Sequence, residues 1–114
     1  MKIDSYSFGN IKIDGTDYRS DVIIYPDRVD DKWWRKEGHL LQMDDLAEVF
    51  GLKPETLIVG LGQPGLMEVD PYLVEYCKKN EVELIALPTA DAVSKYNQLI
   101  RKKPLVIAAL HLTC

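Results

Sequence analysis

The chain has only two cysteines, Cys77 and Cys114, and no pair of Cys-x-x-Cys units. That scarcity excludes a disulfide framework and a structural zinc site, and it fits a reducing, cytoplasmic compartment. Long hydrophobic runs are also missing: none approaches the ~18 apolar residues a membrane span needs. Lys2 and Asp4 stand too near the start for the apolar core of a secretion signal. The chain is therefore expected to be soluble, with no membrane partner. A basic excess is lacking as well, since Lys and Arg total 14 against 18 Asp and Glu, a net charge of -4. A nucleic-acid module usually carries a basic surface, so no nucleic-acid partner is expected. With 114 residues there is no room for a second domain, and residues 1–114 are read as one.

What is present is ordinary globular material, 46% hydrophobic and 28% charged, with no repeat and no low-complexity tract. Its charge is uneven. Up to Phe50 there are 7 basic and 11 acidic residues, and beyond it 7 of each, so the acidic excess lies in the N-terminal half.

The first third reads as β structure. Asp14-Gly15 is a two-residue hairpin turn, and it sets Ile13 against Thr16, Lys12 against Asp17 and Ile11 against Tyr18. Asp4 to Phe8 and Val22 to Tyr25 read as further strands. A short helix is expected from Asp44 to Phe50, where Leu46, Val49 and Phe50 share a face. From Leu57 onward strands and helices alternate. Strands are expected at 57–59, 82–87 and 105–110. The first helix between them is capped by Asp70 with Pro71 behind it, and its apolar face is Tyr72, Leu73, Tyr76 and Cys77. The second is capped by Thr89, carries Ala92, Val93, Tyr96, Leu99 and Ile100, and ends at Lys102-Lys103-Pro104. Such a β-α-β-α-β order calls for three mutually parallel strands.

Three patterns invite a chemical reading. Gly60-Leu61-Gly62-Gln63-Pro64-Gly65 matches the spacing of a dinucleotide-binding loop and follows a strand. Yet the helix signal begins only near Asp70, Pro64 stiffens the loop, and the next strand ends Ala86-Leu87-Pro88 with no carboxylate for a ribose. A glycine turn that shapes a small pocket through Gly60, Gly62 and Gly65 is the favoured reading. The second pattern runs from Asp27 through Arg28, Trp33, Trp34 and Arg35 to His39, a connection longer than the usual one of about 4–6 residues. Arg28 and Arg35 are candidates to clamp a small anion, the indoles to offer a stacking face, and His39 to move a proton. The competing expectation is that the tryptophans cover the sheet while the charges pair in solvent. The third pattern, His111 with Cys114, lacks a third ligand and reads as structural or incidental. No catalytic set, metal site or cofactor emerges from the residues.

Taken in order, several short segments resemble the small adipogenesis-associated domain family, a family of unknown function. They are Tyr6-Ser7-Phe8-Gly9, Asp21 to Asp27, Trp34 to His39, Ile58 to Gly62, Pro88-Thr89 with Ala92-Val93 and Tyr96-Asn97, and Ala108 to Cys114. That family includes a mitochondrial respiratory complex I assembly factor. The resemblance spans nearly the whole chain and implies a single three-layer α/β domain, N-terminal hairpin elements followed by the parallel unit. It implies a protein partner and no established reaction. The expected function is thus a non-catalytic protein-binding or assembly module. Its binding residues are drawn from Asp27, Arg28, Trp34, Arg35, His39, Gly60, Gly62 and Gly65. The alternative is a small-molecule or nucleotide-binding enzyme with its pocket at Gly60–Gly65.

Overall fold

The computed structural model describes residues 1–102 and 105–114. Its first three strands, β1 (Ile3–Ser7), β2 (Asn10–Ile13) and β3 (Thr16–Tyr18), form an antiparallel meander. Asp14 and Gly15 both take positive φ, 47° and 82°, as a tight primed turn requires. The register is the one read from the sequence: Ile13 opposes Thr16, Lys12 opposes Asp17 and Ile11 opposes Tyr18. Ile11 and Ile13 point into the core from one face of this small sheet.

Five strands make the central sheet. They are β4 (Val22–Ile24), β5 (Val29–Asp30), β7 (Thr56–Leu61), β9 (Glu83–Leu87) and β10 (Val106–His111), in the order β5-β4-β10-β7-β9. β7 runs parallel to both β10 and β9, so the three strands expected to be parallel are parallel. β4 joins β10 antiparallel, and β5 closes that edge. A two-residue ladder between β6 (Leu40–Leu41) and β8 (Glu68–Val69) has no counterpart in the sequence reading.

Helices cover both faces. α1 (Ala47–Gly51) follows a 3-10 turn at Met43–Leu46, α2 (Pro71–Lys79) links β7 to β9, and α3 (Thr89–Leu99) links β9 to β10. Alternate residues of β10 show the layering. Ala108 and Leu110 pack with Ile3, Ile11, Ile13 and Tyr96 under the meander and α3. Ile107 and Ala109 pack with Leu46, Val49, Leu73 and Cys77 under α1 and α2. A strand buried on both sides must be apolar throughout, which is why 106–110 reads as a continuous hydrophobic run.

Asp70 caps α2, its carboxylate accepting the Tyr72 N–H at 3.1 Å, with Pro71 in the first turn. Two expectations are corrected here. Tyr72 is exposed, because Leu73 and Cys77 take the buried stripe and Tyr72 falls outside it. Thr89 does not cap α3: Pro88 occupies that position, and the Thr89 hydroxyl is committed elsewhere. The stop at Lys103-Pro104 lies outside the described residues.

Candidate functional site

The antiparallel register that sets Leu110 against Val22 brings the next residues out, His111 and Asp21, face to face at one end of the sheet. The imidazole Nδ1 lies 2.8 Å from Asp21 Oδ2. Arg35, from the loop between β5 and β6, donates through Nη1 to the same oxygen at 2.8 Å, and its Nη2 donates to the Gly38 carbonyl at 3.2 Å. Asp21 Oδ1 accepts the Leu112 N–H at 2.8 Å. One carboxylate thus ties three stretches of chain: the start of β4, the long loop and the segment after β10. The guanidinium also stacks over the Trp33 ring, 4.9 Å from its centroid.

Burial makes this cluster strong and closed. The side chains of Arg35 and His111 are 7% and 8% exposed. Burial by itself raises the Asp21 pKa, but hydrogen bonds from His111, the Leu112 amide and Arg35 outweigh it and hold the carboxyl at about 2. His111 Nδ1 faces both an acceptor, Asp21 Oδ2 at 2.8 Å, and a donor, Arg35 Nη2 at 3.2 Å. Nε2 is buried without a partner, as is Arg35 Nε. Tyr6, whose hydroxyl donates to the Leu112 carbonyl at 2.9 Å, has its pKa raised by burial and by the Asp21 charge, against a lowering hydrogen bond with Thr89.

Gly62 closes the other side. With φ at 89°, a Cβ there would sit 2.4 Å from the Thr113 carbonyl oxygen and 2.8 Å from His111 Cδ2, so only glycine fits. Its N–H donates to Thr89 Oγ1 at 2.9 Å, and that hydroxyl donates in turn to the His111 carbonyl at 2.6 Å. The Gln63 N–H donates to the Thr113 carbonyl at 3.0 Å. In an open α/β sheet, ligands gather beyond the carboxyl ends of parallel strands, where neighbouring connections leave to opposite faces. Here that crevice lies between the ends of β7 and β9. The Thr89 N–H fills it by donating to the Gly62 carbonyl at 3.1 Å, and Gly65 packs against Pro88. The Gly62 and Gln63 amides are spent on the protein's own acceptors, which leaves neither to cradle a phosphate. Gly60 is held by steric need as well, since a Cβ there would lie 2.8 Å from Thr89 Oγ1.

The remaining expected residues separate. Arg28 pairs with Asp27 and Glu48 and stacks over Tyr25. Tyr25 and Asp21 flank opposite ends of β4, about 13 Å apart at 3.3 Å per residue, so Arg28 and Arg35 do not form an anion clamp. The two indoles also part company: Trp33 turns inward and donates from Nε1 to the Asp45 carbonyl at 2.9 Å, while Trp34 is 73% exposed. His39 is exposed, and its carbonyl accepts the Glu68 N–H. Phe8 and Leu66, 60% and 55% exposed, belong to the same end of the molecule. The Gly9 N–H donates to the Leu112 carbonyl, and the Met67 N–H to that of Leu61, the partner of His111 in the β7–β10 ladder.

Asp21 is the site residue that the sequence reading missed, and His111, singled out there beside Cys114 and read as structural or incidental, has Asp21 as its partner. Their common signal was slight: a polar residue at the outer end of each of two apolar strands that turn out to be neighbours. Among the described residues no three His, Cys, Asp or Glu side chains converge as metal ligands. Two hollows lie away from the cluster, one of about 370 Å³ over Lys36, Asp44, Asp70 and Tyr72, the other of about 260 Å³ between Phe50, Lys53, Tyr76 and Val82.

Fold and cluster together define a small three-layer α/β domain whose strand-end crevice is filled by its own chain. The chain belongs to the family described as protein of unknown function (DUF498/DUF598), whose model matches residues 3–111. It is similar to the conserved hypothetical protein PH1505 from Pyrococcus horikoshii OT3, with 29% identity, a TM-score of 0.85 and 100% of both chains covered. Rpa2829 from Rhodopseudomonas palustris is 28% identical, with a TM-score of 0.78 over 96% of this chain and 81% of that one. The same fold, at 20% identity and a TM-score of 0.77, is found in a Mth938-like domain protein from Bordetella pertussis, over 97% of this chain and 85% of that one. Among the described residues no helix is long and apolar enough to cross a membrane.

Proposed function

We propose that the chain is a non-catalytic protein-binding module of the assembly or regulatory kind, acting in the cytoplasm, and that its partner docks on the sheet end where Trp34 projects. One observation carries this reading: Trp34 is 73% exposed although its neighbour Arg35 is locked in a buried ion pair. An indole presented from an anchored loop loses little freedom when it is covered, and tryptophan is the residue type most enriched at binding hot spots. Phe8 and Leu66 are exposed apolar side chains at the same end of the sheet. The resemblance to a family that includes a respiratory complex assembly factor supports a protein as the partner. The alternative, an enzyme using Gly60, Gly62 and Gly65, is weakened by the commitment of the Gly62 and Gln63 amides within the chain.

The test is capture of the physiological partner from the protein's own cell extract by wild type and by Trp34→Ala. The variant should melt as the wild type does and lose most of the capture. Undiminished capture would defeat the assignment of the loop. Turnover of a metabolite by the wild type would move the case to the enzyme.

A further inference from the structure

The two edges of the central sheet are built differently. β5 is two residues long, ends at Asp30 and runs on into Asp31 and Lys32, a short charged edge of the kind that resists pairing. β9 is five residues long, and after Glu83 it reads Leu84-Ile85-Ala86-Leu87 without a charge or a proline. Among the described residues no strand lies beyond it. In a parallel ladder alternate residues of an edge strand turn their N–H and C=O groups away from the neighbour. Glu83 donates its N–H toward β7, to the Glu55 carbonyl, so it is Leu84 and Ala86 that turn theirs outward, where among the described residues no strand meets them.

We infer that two copies of this chain pair edge to edge through antiparallel β9 strands, joining their sheets across a two-fold axis.

The surroundings of β9 suit a second copy. Ile85 and Leu87 lean on the core under α3, and Leu84 and Ala86 on the core under α2, and all four stay half-buried. Both faces of the edge therefore leave apolar surface in water. α2 adds to it. Tyr76 meets Phe50 of α1, with ring centroids 4.9 Å apart, and α1 is tied to the β4–β5 turn by the Arg28–Glu48 pair. Val74 lies about 200° round the helix from Tyr76, hence on the β9 side, and it is exposed.

Charge points the same way. Two copies of a chain carrying -4 repel, yet the excess resides in residues 1–50, while the part that builds β9 and its flanking helices carries 7 charges of each sign. An antiparallel pairing centred on Ile85 sets each Glu83 opposite the partner's Leu87, so the two carboxylates stand about 13 Å apart along the strands. The two Glu83 carboxylates do not meet. An isologous contact of this kind closes on itself and leaves the joined central sheet ending in a guarded β5 edge on either side. The contact is small: a strand about 16 Å long, flanked by layers about 10 Å apart, covers on the order of 400 Å² per copy. Pairs of that size are weak, and dimerisation should depend on concentration.

The inference is tested by sedimentation of the intact protein from about 10 µM to 1 mM, with amide hydrogen exchange measured across the same range. The expected result is a monomer–dimer equilibrium in which amides of residues 84–87 slow with concentration. Ala86→Lys should weaken dimerisation at least tenfold. Should that variant fail to fold, the exchange pattern of the wild type decides alone. Three outcomes overturn the inference: a monomer throughout, a dimer whose β9 exchange is unchanged, and β9 protection that does not vary with concentration. Protection that appears only on adding an extended foreign peptide would give the edge to another protein and overturn it too.

Discussion

Replacing Asp21 by Asn keeps the shape of the side chain and removes its charge from a place where Arg35 and His111 have little water to turn to. Breaking a buried ion pair from one side costs about 3–5 kcal/mol, because the remaining cation is left without its counter-charge. The asparagine carbonyl retains one acceptor, so about 3 kcal/mol is expected at pH 7, a large share of the total stability of about 5–15 kcal/mol of an ordinary domain. The pH dependence is the sharper test. The Asp21 carboxyl sits at about 2 in the folded protein against 3.8 for the ordinary group. At 1.36 kcal/mol per unit, that gap is worth about 2.5 kcal/mol. The folded value is the depressed one, so this stability is present above about pH 4 and is lost as the pH falls toward 2. Urea unfolding of wild type and Asp21→Asn at half-unit steps from pH 6 to 2 isolates it, since the other carboxylates contribute alike to both proteins. The difference between the two should shrink by about 2 kcal/mol over that range, since at pH 2 the folded carboxyl is still half ionised. A flat difference, or a variant as stable as the wild type at pH 7, would refute the idea that Asp21 ties the site together.

Gly62→Ala should cost about 3 kcal/mol, because its Cβ meets a backbone carbonyl as well as the His111 ring, whereas Gly15→Ala, at φ 82° with nothing within 4 Å, should cost only about 1 kcal/mol. Equal melting shifts for the two would show that the chain end yields easily. Tyr96→Ala removes a ring that is 2% exposed and whose pKa burial pushes up to about 12, with the Asp14 charge adding to it. A loss of about 3 kcal/mol is expected from denaturant unfolding, and one below about 1 kcal/mol would contradict the core packing. Millimolar NAD or ATP should leave the melting temperature where it is. A reproducible rise of several degrees would mean that the Gly62 loop opens to release its amides.

Much of this architecture was legible because its signals are local. Asp14-Gly15 dictates a turn, and the turn dictates the pairs on either side of it. The alternation after Leu57 dictates parallel strands, since a crossover of that length joins parallel neighbours. The site was hidden because its members meet only through the tertiary order of the sheet. Asp21 and His111 are 90 residues apart and face each other because β4 pairs with β10, which no local pattern announces. Thr89 misled for the opposite reason. Threonine just before an apolar helix is a good cap by its local sequence, but here its hydroxyl serves Gly62 and His111. The two adjacent tryptophans could not be told apart by composition; the Asp45 carbonyl and the Arg35 guanidinium, both met by Trp33, divide them.

The order β5-β4-β10-β7-β9 has a bearing on how the chain reaches this state. β10 is the last of these strands in sequence, yet it stands third of five, between β4 and β7. Until it inserts, β4 with β5 and β7 with β9 are two ribbons that lack a common neighbour, and neither hydrophobic cluster is closed, because β10 supplies side chains to both. No stable smaller intermediate is available to a nascent chain that stops short of residue 106. Ordering before that point would demand loop closure without the contacts that compensate for it. Acquisition of structure should therefore be abrupt, and a ribosome-bound chain should remain protease-sensitive until the strand beginning at Val106 has cleared the exit tunnel.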